Sequence, residues 1–236
     1  MAEQKKRFLR IFRWSYALLG ALTLLLSYLF MMNGVHHQYG PVKAFVHVFR
    51  LFTNQSNLLV VLWAFLELKR TNQKKELEFS YMPGTFRGGL VVYIFMTFLV
   101  YHLFLRNTYT VTGPSVIING VTHYIIPAAY ILDWYLTEKR QIYRFTHIFF
   151  WMLYPLGYLV IGISYGKITG SFPYEYLNWH LEGLSYIIGY GTIIIMCFIA
   201  VSILCVCINR QTLFKRKNVK SRNLISPQKE GKQRGN

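Results

Sequence analysis

Six apolar stretches of about 20 residues each dominate this chain: Trp14–Asn33, Ala44–Leu68, Gly88–Leu105, Val116–Leu136, Phe145–Tyr165 and Gly183–Ile208. A helix of about 20 apolar residues is what a ~30 Å hydrocarbon layer requires. The cations then sort by side. Of the 26 Lys and Arg residues, 22 fall in the N-terminal segment, the two loops that follow the second and fourth stretches, and the segment beyond Ile208. The opposite side keeps Lys43, Arg106 and Lys167, with Arg50 inside the second stretch. Cytoplasmic loops carry the excess of Lys and Arg. The pattern therefore predicts an all-α, polytopic six-transmembrane-helix bundle with both termini cytoplasmic.

The net charge of +17 invites a nucleic-acid reading. Its placement beside the apolar stretches answers that, because each juxtamembrane cation gains about 1 kcal/mol near an anionic leaflet. No nucleic-acid partner is needed; membrane lipids are the expected partners. Cys197, Cys205 and Cys207 all lie on the last stretch, so no disulfide framework is implied. Residues 1–209 are expected to form one transmembrane domain, with no internal repeat. Residues 210–236, basic and rich in Ser, Asn, Gln and Gly, lack the apolar area to order themselves and read as a disordered cytoplasmic tail. The first apolar run exceeds a signal-peptide core and lacks a small-residue cleavage site, so it is expected to stay as a helix.

Polar side chains inside bilayer helices are expensive and face the bundle interior or a cavity. The second stretch carries His47, Arg50, Thr53, Asn54, Gln55, Ser56 and Asn57. At 100° per residue, His47, Arg50, Thr53, Asn54 and Asn57 share an arc of about 120°. On the fourth stretch Asn119, His123, Pro127, Tyr130 and Trp134 share a face. Pro127 has no backbone donor, which predicts a kink and an unpaired carbonyl at His123. Counting down from the outer side puts Thr53 ~13 Å deep and His123 ~10 Å deep at 1.5 Å per residue. A hydroxyl and an imidazole at one level suit a nucleophile and its general base. Asp133 is ~15 Å deeper and Glu67 is near the cytoplasmic end, so neither orients the imidazole, and the outer-side acids are Glu175 and Glu182 in the loop between the fifth and sixth stretches. A dyad oriented by Asn119 or a tyrosine is expected, with Arg50, Asn54 and Asn57 as oxyanion candidates.

Two other readings use the same residues. His47, His102 and His123, with His36 and His37 in the outer loop, resemble the ligand types of a zinc or haem site, though without a ligand spacing. A non-catalytic bundle would use the polar seam to line a lipid-binding or small-molecule-conducting cavity. The aromatic run Phe172, Pro173, Tyr174, Tyr176, Trp179 and His180 reads either as an interfacial belt or as a lid.

Motifs in order add a resemblance. Phe52-Thr53-Asn54-Gln55-Ser56-Asn57, then His123-x-x-x-Pro127 with Asp133-Trp134, then Trp151-x-x-Tyr154-Pro155-Leu156 and Phe172-Pro173-Tyr174 resemble the androgen-induced-gene-like family of integral membrane proteins, in particular its bacterial six-pass members. The similarity runs from Trp14 to Ile208. It implies a multi-pass protein of a bacterial cell membrane. For the animal members it implies threonine hydrolases of fatty-acid esters of hydroxy fatty acids, with Thr53 at the position of the nucleophile and His123 at that of the base. No cofactor or metal is implied, and the substrate is a lipid-like ester.

Overall fold

The computed structural model describes residues 2–33, 40–72, 84–108, 110–174, 177–178 and 183–211. Among them the regular structure is helical, with no strand. The helices are α1 (Ala2–Asn33), α2 (Pro41–Phe49), α3 (Phe52–Asn72), α4 (Gly84–Val100), α5 (Ser115–Gly120), α6 (Ile126–Thr137), α7 (His147–Thr169) and α8 (Leu184–Arg210). Two π turns interrupt them: Tyr101–Leu105 continues α4, and Val121–Ile125 joins α5 to α6.

Five helical segments are long and apolar enough to cross a membrane, and a sixth joins them if α2 and α3 count as one broken span. The break is sharp, 90° between Pro41–Phe49 and Phe52–Arg70. This corrects the expectation of a continuous second helix. His47 and Arg50 stand on a different axis from Thr53, Asn54 and Asn57, so no common arc exists.

The outer surface of the bundle is apolar. Phe149, Ile161, Ile117 and Ile168 are 77%, 70%, 70% and 84% exposed, which suits lipid as the neighbouring medium and not water. The core centres on α4, which packs against α3, α6, α7 and α8. It is built from Trp63, Leu90, Ile94, Met96, Tyr130 and Trp151. Small residues let the backbones close up, as they do in membrane bundles. A Cβ on Gly20 would lie 2.6 Å from Val61, and one on Gly88 would lie 2.3 Å from Trp151.

The starts of α1, α4 and α7 meet the ends of α3, α6 and α8 at one end of the bundle. There Arg13 Nε donates to both Asp133 oxygens at 3.1 and 2.9 Å, and Tyr16 donates to the same carboxylate at 2.9 Å. Arg87 lies 3.5 Å from Glu138 and 3.8 Å from Asp133, and both guanidiniums sit over the Trp63 ring. Glu67 adds longer contacts to Arg13 and Arg70 at 3.9 Å. Burial pushes the Glu138 carboxyl up, and Arg87 beside it works against that. Asn209 ties α8 to the loop between α6 and α7, accepting from the Ile142 and Tyr143 amides and donating to the Lys139 carbonyl. Tail residues 212–236, together with His36, His37, Glu175, Tyr176, Trp179, His180 and Glu182, lie outside the described residues.

Candidate functional site

The site lies at the other end, and the α2–α3 break builds it. In a continuous helix the Phe52 and Thr53 amides would donate to the Val48 and Phe49 carbonyls. Side chains replace both bonds. The Asn54 amide group donates to the Val48 carbonyl at 2.8 Å and Gln55 to that of Phe49 at 2.7 Å. The freed Phe52 and Thr53 amides donate to the hydroxyls of Tyr158 and Tyr174 at 3.2 and 3.4 Å. Tyr158 in turn donates to the Arg50 carbonyl at 2.9 Å. The Phe52 and Thr53 amides and the Val48, Phe49 and Arg50 carbonyls thus have partners across the break, as buried backbone requires. Thr53 is left in the first turn of a 21-residue helix, where the macrodipole is positive.

The partner strand of the site comes from the second π turn. Its geometry moves the orphan carbonyl by one residue from the expected position. The Ile126 amide bonds to Val121, five residues back, so Pro127 stands opposite the Thr122 carbonyl and offers it nothing. The Asn57 amide group supplies the missing donor, reaching the Thr122 carbonyl at 3.1 Å and the Thr53 carbonyl at 2.8 Å. One side chain therefore fixes the first turn of α3 against the π turn.

That register brings Thr53 and His123 together. Thr53 Oγ1 is 3.2 Å from His123 Nε2, with both residues buried. His123 Nδ1 is 3.0 Å from the Asn119 carbonyl, which only accepts, so Nδ1 carries the proton. Nε2 then presents its lone pair to the threonine hydroxyl, the tautomer a general base needs. Tyr101 stacks on the imidazole at 4.0 Å between centroids, and the Asn119 side chain donates to the Tyr101 hydroxyl. Among the described residues, the ring is held on one face and at one nitrogen with no carboxylate in contact. Asp133, as the depth count required, belongs to the ion cluster at the far end.

Thr53 opens onto an apolar cavity of about 70 Å³ lined by Met96, Val100, Met152, Leu156, Ile194 and Phe198, with the Tyr158 and Tyr174 hydroxyls at its polar edge. None of the four residues read as cavity or oxyanion candidates lines it. Asn54 and Asn57 spend their amides on the carbonyls just described. Asn119 holds Tyr101. Arg50 turns the other way and donates to the Ser171 hydroxyl and carbonyl at 2.6 and 3.2 Å. The polar groups beside Thr53 are instead Tyr158 and Tyr174, contributed by α7 and the segment after it. Aromatic-rich composition hides such residues, since nothing in a single sequence separates a tyrosine aimed at a helix terminus from one in an interfacial belt. Burial pushes the Tyr174 phenol up, so it stays protonated and able to donate.

The described histidines of the second, third and fourth stretches, His47, His102 and His123, do not converge. His102 faces Tyr124 at 3.3 Å and His47 faces Arg50 at 3.5 Å. Among the described residues no group of three His, Cys, Asp or Glu side chains is placed to hold a metal ion.

An all-helical chain with five or six segments fit to span a membrane has the architecture of an integral multi-pass membrane protein. Comparisons with protein-family models, with curated proteins and with solved structures returned no match.

Proposed function

We propose that this chain is a membrane-embedded threonine hydrolase of lipid esters, with Thr53 as nucleophile and His123 as general base. The observation that carries the reading is the buried 3.2 Å contact between Thr53 Oγ1 and His123 Nε2 at the edge of an apolar cavity. The resemblance to the androgen-induced-gene-like family supports it, because the same two positions match that family's catalytic pair. The cation distribution supports cytoplasmic termini and a site in the outer half of the membrane, and the resemblance adds that the membrane is a bacterial cell membrane.

The chemistry is acyl transfer to threonine. His123 Nε2 takes the Thr53 proton as Oγ1 attacks the ester carbonyl, and the imidazolium returns that proton to the departing alkoxide. Water, activated by the same nitrogen, then cleaves the acyl-threonine to free acid. The carbonyl oxygen gains negative charge beside the N-terminus of α3, the positive end of its dipole, and beside the Tyr174 hydroxyl, a neutral donor. The route uses no metal and no cofactor.

Cavity size narrows the substrate. An apolar cavity of ~150 Å³ takes up benzene, and about 70 Å³ is half of that, room for a few methylenes. The rest of a long chain has to leave past Gly191, where a Cβ would touch nothing within 4 Å. The small cavity also suits the rival reading of a non-catalytic lipid-binding bundle, which predicts binding without turnover. The test is release of acid from acyl esters of graded chain length by the purified protein in detergent. Turnover that vanishes in Thr53→Val and in His123→Ala is the expected result; wild-type turnover in Thr53→Val overturns the proposal.

A further inference from the structure

A second concavity lies on the opposite side of Tyr158, between α2 and α7. It is a groove of about 560 Å³ lined chiefly by Phe45, Val46, Phe49, Leu153, Ile161 and Tyr165, with Arg50 as its one charged residue. Phe45, Val46 and Ile161 are 53%, 40% and 70% exposed, so the groove opens on the apolar outer face of the bundle. Along α7 it runs from Leu153 to Tyr165, about 18 Å at 1.5 Å per residue. That is close to the ~15 Å depth of one leaflet's hydrocarbon.

The polar end is placed to meet a headgroup. Arg50 reaches Ser171, one residue past the α7 C-cap at Gly170, so its guanidinium is level with the end of a span. Arg50 Nε is buried and has no hydrogen-bond partner. No carboxylate among the described residues forms an ion pair with it, and the described part of this end carries Lys43, Arg50, Arg106 and Lys167 with no acidic residue. A guanidinium with a spare buried donor is matched by an oxyanion, and phosphate is the anion that occurs at that depth. The long apolar lining below it excludes a free ion as the natural occupant.

We infer that the α2–α7 groove is a binding site for one anionic phospholipid, its phosphate on Arg50 and an acyl chain along α7. The site is separate from the Thr53 cavity and independent of any chemistry there. Gly157 lies in the groove wall, and a Cβ on it would meet nothing within 4 Å, so a side chain there starts in open space and grows into the groove.

The test uses the purified full-length chain equilibrated in nanodiscs of equal phosphatidylglycerol and phosphatidylcholine, released into detergent, with retained lipid counted by native mass spectrometry. The wild type is expected to keep phosphatidylglycerol over phosphatidylcholine by about fivefold, the worth of one cation near the membrane surface. Arg50→Gln should bring the two lipids to parity, Arg50→Lys should keep most of the preference, and Gly157→Phe should lower retention of both. Equal retention by the wild type overturns the inference, as does an unchanged preference in Arg50→Gln or full retention in Gly157→Phe. Displacement of phosphatidylglycerol by excess inorganic phosphate would make this an anion site and overturn the lipid assignment.

Discussion

The two ends of the bundle solve the burial of polar groups in opposite ways. At the basic end, Arg13, Arg87, Asp133 and Glu138 are full charges, each paired in a compact set with Tyr16 and Trp63. At the other end, Thr53, Asn57, Ser56, Thr97 and His123 are neutral donors and acceptors threaded through irregular backbone. Among the described residues, no π turn interrupts the helices at the charged end. Those at the neutral end carry the 90° break and both π turns. A compensated charge set holds helices together but leaves no reactive group available. A neutral network built on exchanged backbone bonds can present a hydroxyl and an imidazole lone pair to a cavity.

Breaking the charged end should cost the most. Asp133→Ala leaves two buried guanidiniums without their shared carboxylate, and unpairing a buried ion pair costs about 3–5 kcal/mol. Unfolding followed in detergent should show that loss. Thr53→Val, by contrast, should shift stability by about 1 kcal/mol, the worth of one neutral hydrogen bond. At the neutral end the large effect should appear in rate. His123→Ala should lower acid release by about 10²–10⁴-fold, the contribution of a positioned general base.

Asn57→Leu sharpens the comparison, because Asn57 joins the break to the π turn. Two carbonyls lose a shared donor, and about 1–3 kcal/mol is expected for an unsatisfied buried group. Because the register of Thr53 against His123 also loosens, turnover should fall further than stability alone explains. The smallest effect belongs to Arg70→Ala. Its contact with Glu67 is 3.9 Å and one helical turn away, and such a pair is worth about 0.5 kcal/mol or less.

Much of this contrast was legible from residue order and depth. Six apolar stretches and the placement of cations anticipate the helical layers. Counting residues from the outer side put Thr53 and His123 at one level, and the structure brings them into contact. The same count separated Asp133 from His123. The break was not legible. No Gly or Pro marks Arg50 and Leu51, and the two amides that stabilise the bend, on Asn54 and Gln55, act on carbonyls six residues behind them. In sequence those amides read as inward-facing polar residues of a straight helix. Pro127 did signal an orphan carbonyl, but the π winding moved it from His123 to Thr122 and gave Asn57 its role. The ion cluster is hidden in the sequence because Arg13 and Arg87 read as N-terminal and loop cations, and their shared partner Asp133 lies on another helix, α6.

The central claim is that Thr53 is a nucleophile activated by His123. A fluorophosphonate probe tests it most directly: the nucleophile displaces fluoride at phosphorus and keeps the phosphonyl group, which peptide mass spectrometry then locates. The purified wild-type protein should carry one adduct on Thr53, and Thr53→Val and His123→Ala should carry none while retaining wild-type helicity. An adduct on another residue, or equal labelling of all three proteins, would contradict the account.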